Sequence, residues 1–114
     1  MSELIGIVRF KFHEGRVEEF KQLSAQCMEI VRTQDTGTLQ YDTYFNDDAS
    51  AAVVIERYRD SDALIEHGEH LSAFMEPILA TATVEGELLG DLSPELRAKM
   101  TGDQPRLFTL YASM

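Results

Sequence analysis

The sequence predicts an α+β fold in which strands and helices follow the order β-α-β-β-α-β, and three observations predict it. Two stretches repeat their apolar residues every three or four positions, the period of a helix with one buried face. Around them lie runs rich in β-branched and aromatic residues that alternate with polar ones, the period of a half-buried strand. The 114 residues hold no internal repeat, low-complexity tract or linker-like stretch, which suits one domain over residues 1–114.

The first element is a strand over Leu4 to His13, closed by the turn pair Glu14-Gly15. From Arg16 to about Gln34 the residues Val17, Phe20, Leu23, Cys27, Met28, Ile30 and Val31 mark a helix. Glu18 and Glu19 suit the positive end of its dipole, and Gly37 is expected to stop it in a left-handed conformation. Thr38 to Asn46 and Ala51 to Arg59 then read as a β-hairpin around Asn46-Asp47-Asp48. Asp60 is placed to cap a second helix whose apolar stripe runs through Leu64, His67, Leu71, Phe74, Met75, Ile78, Leu79 and Ala82. Gly68 and Pro77 predict that this helix bends or divides. A strand over Val84 to Leu92 completes the ferredoxin-like order. Ser93-Pro94-Glu95 opens an added short helix ending at Gly102, and Pro105 to Ser113 reads as a last strand.

Such a domain lays two helices on one face of an antiparallel sheet and leaves the other face needing cover. That face would carry Ile and Val side chains, which predicts a homodimer with the last strand crossing to the partner or sealing an edge.

Twenty acidic residues against ten basic ones give a formal charge of −10, a field that nucleic acid and phospholipid surfaces repel. Neither a nucleic acid nor a membrane is an expected partner. No apolar run approaches the roughly 18 residues of a membrane span, and Met1-Ser2-Glu3 lacks the basic start of a secretory leader. The single cysteine, Cys27, excludes an internal disulfide and fits a reducing, cytoplasmic setting.

Among groups that could do chemistry, His67 stands out, because an imidazole with an ordinary pKa near 6.5 can take a proton from a phenol or an enolisable carbon at neutral pH. The competing reading is a core histidine bonded to backbone. His70, three residues on, could share its pocket. The pair lacks the i, i+4 spacing and nearby acidic ligand of a zinc helix, so no metal is expected. Tyr44, Tyr58 and Phe74 are candidates to surround a substrate, and Arg57 could stabilise a developing oxyanion. Tyr41 and Tyr44 are an odd number of positions apart and must point to opposite faces of their strand. No phosphate-cradling loop or nucleophile elbow is present, so no cofactor is expected either.

The opening strand leading to Gly15, the helix start Val17-Glu18-Glu19-Phe20, the hairpin strand Gly37 to Tyr44 and the tract Val53 to Asp60 followed by Ala63-Leu64 and His67 resemble the antibiotic biosynthesis monooxygenase family, within the dimeric α+β barrels. The likeness covers about residues 4–92. It implies a pocket between sheet and helices and, in some members, cofactor-independent oxygenation of electron-rich aromatic substrates. The family's histidine matches His67, whereas tryptophan commonly stands where this chain has Tyr58. The haem-degrading branch is disfavoured, since it uses an Asn and a Trp that this chain lacks at the matching places. The expected function is therefore monooxygenation of a small aromatic or enolisable molecule, with His67, Tyr58 and Arg57 catalytic and His70, Tyr44 and Phe74 lining the substrate. The alternatives are a non-catalytic small-molecule-binding module and an isomerase of a small carbonyl compound.

Overall fold

A computed structural model describes residues 2–114. Its elements are β1 (Leu4–Phe12), α1 (Val17–Gln34), β2 (Thr38–Phe45), β3 (Ala51–Tyr58), α2 (Ser61–Leu79), β4 (Ala82–Leu89), α3 (Pro94–Lys99) and β5 (Arg106–Phe108). The sheet order β2-β3-β1-β4-β5 is the ferredoxin-like arrangement with one added edge strand. All pairings are antiparallel except β4 with β5.

Strand alternation sorts the side chains onto two faces. Leu4, Gly6, Val8 and Phe10 of β1, with Ala52, Val54, Glu56 and Tyr58 of β3, turn towards the helices. There Leu4, Tyr58, Ala63, Leu88 and Leu96 form one apolar cluster, and Phe10, Phe20, Ala52, Val54 and Ala82 a second. The third, Cys27, Val31 and Leu71, joins α1 to α2. Ile5, Ile7, Val53 and Ile55 lie on the other face, half-buried by their own neighbours and covered by no helix.

Several local expectations are refined. Asp60 caps α2, its side chain accepting from the Ala63 N–H at 2.9 Å, and Ser93 caps α3 through the Leu96 N–H at 3.1 Å. Gly15 takes the positive φ its turn requires, +77°. Gly37 does not: α1 ends at Asp35 in extended conformation, and Gly37 is needed for space, since a Cβ there would stand 2.5 Å from that of Ala63. The second helix runs unbroken from Ser61 to Leu79, because Gly68 faces solvent and Pro77 sits in the last turn. The fourth strand starts at Ala82 instead of Val84, since β1 continues to Phe12 and pairs with it there. The short helix stops at Lys99, before Gly102. The last strand shrinks to Arg106–Phe108, paired in parallel with Glu87–Leu89 and sealing the β4 edge.

Candidate active site

Beneath α2, on the covered face of the sheet, lies a mainly apolar cavity of about 100 Å³. Val8, Phe10 and Val54 form its floor, and Met75 and Leu79, each about half exposed, stand at its mouth. Polar groups enter it at Tyr41, Glu56 and His67. A benzene-sized molecule fills a cavity of roughly 150 Å³, so a ring can enter only if the mouth gives way slightly.

His67 is 6% exposed and wedged edge-on between Tyr41 and Tyr58, with ring centroids 5.3 and 5.2 Å away. Its Nδ1 lies 2.8 Å from Asp35 Oδ2. Asp35, the residue that ends α1, also accepts from Thr38 Oγ1 at 2.7 Å and meets His70 Nδ1 at 2.5 Å through Oδ1. Burial alone would raise the Asp35 pKa, but hydrogen bonds from His70, His67 and Thr38 outweigh it and hold the carboxyl below its ordinary 3.8. An ionised Asp35 accepts the Nδ1–H of His67, which turns Nε2 to the far side of the ring. That far side faces Glu56, whose Oε1 is 3.9 Å from Nε2.

Glu56 is the unexpected member. It stands over Gly6, where a Cβ would come within 3.6 Å of its side chain, and it accepts the hydroxyl hydrogen of Tyr58. Burial pushes its pKa above the ordinary 4.5, against the lowering effects of His67 and Tyr58. The Tyr41 and Tyr58 hydroxyls are likewise pushed up, chiefly by burial, and stay protonated. The Cys27 thiol is raised to about 11 by burial, which makes it inert.

The fold thus brings together His67 and Tyr58 from the candidates named above, with His70 attached through Asp35. The other three lie elsewhere. Arg57 is on the opposite sheet face, beside Gln40 at 3.4 Å and Glu3 at 3.3 Å. Tyr44, 56% exposed, lines a wide shallow groove along β2 with Lys21, Met28 and Phe45, and Tyr41 takes the place beside His67. Phe74 packs against the Cys27, Val31 and Leu71 cluster instead of lining the cavity. Folding also supplies acids that the spacing of His67 and His70 did not reveal: Asp35, Glu66 and His70 each place one ligand atom within 4.8 Å of the others. The Glu66 carboxylate is engaged there by the N–H and hydroxyl of Thr36.

Residues 4–76, which carry β1 to β3, α1, most of α2 and His67, match the sequence pattern of the antibiotic biosynthesis monooxygenase family. The chain belongs to that family. Its fold is shared with MupZ from Pseudomonas fluorescens, 22% identical, where the match covers 98% of this chain and 88% of that one with a TM-score of 0.79. Rv0793 from Mycobacterium tuberculosis is 25% identical over 80% of this chain and 96% of its own, with a TM-score of 0.70. The N63A mutant of SnoaB, a cofactor-independent oxygenase from Streptomyces nogalater, is 20% identical over 80% and 94%, with a TM-score of 0.68. No curated protein matches the chain by sequence. Among the described residues, no helix of this monooxygenase-family protein is long and apolar enough to cross a membrane.

Proposed function

We propose that the protein is a cofactor-independent monooxygenase of its family, acting on a small enolisable or single-ring aromatic substrate with His67 as general base. The observation that carries this reading is the 2.8 Å contact between Asp35 and His67 Nδ1, which turns Nε2 towards a mainly apolar cavity. Desolvation there strengthens the attraction between the imidazolium that forms and the substrate anion.

His67 Nε2 takes a proton from an activated CH₂ or from the hydroxyl conjugated to it. The resulting anion is electron-rich enough to reduce molecular oxygen, and a C–O bond forms to give a peroxide. Imidazolium returns its proton to the distal oxygen, and loss of water leaves a carbonyl where the CH₂ stood. One oxygen atom ends in product and one in water. Asp35 positions the base throughout, and Tyr41 and Tyr58 flank the ring.

Oxygen uptake with a panel of small hydroxyarenes and 1,3-diketones, in enzyme freed of metal and flavin, tests the reading. Turnover that falls by about 10²–10⁴ in His67→Ala supports it, since that is the usual worth of a general base. Equal uptake in both proteins, or uptake by neither, overturns it and leaves a binding module.

The same reading makes the protein a homodimer. The support is the sheet face of Ile5, Ile7, Val53 and Ile55, half-buried among their neighbours and covered by no helix. Light scattering at micromolar concentration should give twice the chain mass; a monomer refutes the assembly.

A further inference from the structure

We propose that Glu56 is a proton donor facing His67 across the cavity, and that the pair carries a second, oxygen-independent activity: moving a carbon–carbon double bond into conjugation in a small unsaturated ketone. The inference rests in part on the reading of His67 as the base.

The oxygenation above uses His67 as its one proton carrier, yet Glu56 stands 3.9 Å from it. Its carboxyl sits above Gly6, the β1 residue paired with it, where a Cβ would make ordinary van der Waals contact at 3.6 Å. The Tyr58 hydroxyl, on a side chain with no exposed surface, fixes Oε1. Val8, Val54 and Leu71 make the surroundings apolar, an environment that favours a carboxyl group carrying its proton.

The separation of acid and base matters as much as their identity. At 3.9 Å, Glu56 Oε1 and His67 Nε2 are beyond hydrogen-bond distance from each other, and close enough for the carbonyl oxygen and the α-carbon of one small molecule to reach both. Asp35 occupies the other imidazole nitrogen, which directs the basic lone pair to the Glu56 side.

In the proposed reaction His67 Nε2 removes a proton from the carbon between the carbonyl and the double bond. The C–H electron pair moves into a new C=C bond, and the carbonyl oxygen takes the proton of Glu56 to give a dienol. Glu56 then recovers the hydroxyl proton while imidazolium delivers its own to the far alkene carbon. A conjugated ketone results, with no net oxidation and no co-reactant. The cavity of about 100 Å³ restricts the substrate to one small ring or a short chain.

The test uses cyclohex-3-en-1-one as probe, without oxygen, and follows the ultraviolet absorbance of the conjugated product. The wild-type protein should accelerate isomerisation over buffer. Glu56→Gln, which keeps shape and removes the transferable proton, should lower kcat by about 10²–10⁴ while KM stays within about twofold. Glu56→Asp should restore part of the rate, and circular dichroism should show all variants folded. Should Glu56→Gln not fold, Tyr58→Phe, which leaves the carboxyl but frees it, should lower kcat by a smaller factor. No acceleration by the wild-type protein overturns the activity. Wild-type rates in Glu56→Gln overturn the role of Glu56 and leave His67 as base. A rate lost in Glu56→Gln but kept in His67→Ala preserves the acid and overturns the base reading above.

Discussion

The two faces of the sheet are built from the same strands, yet the helix-covered one gathers Glu56, Tyr58 and His67 beside a cavity. On β3, Glu56 and Tyr58 turn under α2 and join His67, whereas Arg57 between them turns the other way and ends beside Gln40 and Glu3. On β2, Tyr41 meets His67 edge-on and Tyr44 looks out from the opposite face. A shift of one position along a strand thus decides whether a polar group is desolvated and tuned or left in water. The covered face holds the groups with displaced proton affinities; the open face holds apolar side chains and exposed ion pairs worth little energy.

The sharpest way to break this contrast is in turnover. His67→Ala is expected to cost about 10²–10⁴ in rate. Arg57→Ala should change kcat by no more than about twofold, the equivalent of ~0.5 kcal/mol for a residue outside the site. Equal losses in the two variants would mean that the open face reaches the reaction.

Stability gives the next contrast. Phe20, 2% exposed and packed on Phe10 and Phe12, should cost about 3–5 kcal/mol when replaced by alanine. Tyr44→Ala should stay within ~0.5 kcal/mol by urea denaturation. A loss at Tyr44 approaching that at Phe20 would point to a covering partner on the β2 side.

The smallest effect is one of pH. The folded Glu56 has a raised pKa, so it contributes stability below its ordinary 4.5, and this contribution is lost as pH rises through the folded value. Asp35 is opposite: its folded pKa is depressed, and its contribution is present above 3.8 and lost as pH falls through the folded value. Glu56→Gln should therefore raise Tm at pH 7–8 relative to wild type, with the gap closing towards pH 4. A gap that widens on acidification would show that Glu56 is ionised in the fold.

Most of the architecture was legible because it depends on local periodicity. The three-and-four spacing from Val17 to Val31 placed α1 to within one residue of its start, and Asp60 announced α2 by its capping chemistry. His67 fell on the buried stripe for the same reason. The partners of His67 were hidden because they depend on tertiary contact. Asp35 lies 32 residues before His67 and one past the end of a helix, where an acid reads as an ordinary loop residue. Glu56 carried a usable signal: it is two positions from Tyr58 on a strand, so the two must share a face. Its burial was masked by an acidic composition in which a carboxylate is presumed solvated. The last strand was overestimated because pairing to β4 is limited to three residues, a limit set by the neighbouring strand and not by the segment's own alternation.

Met75 has a consequence for how long such a catalyst survives. Met75, about half exposed, stands at the mouth of the cavity, on the path by which any peroxide released from the site would leave. Conversion to the sulfoxide would replace a soft apolar wall with a strong dipole and stiffen the one boundary that must yield to admit a ring. If the proposed oxygenation releases peroxide, oxidation of Met75 should be legible as a gain of about 16 Da in the peptide that contains it, and Met75→Leu should lengthen the working life of the protein.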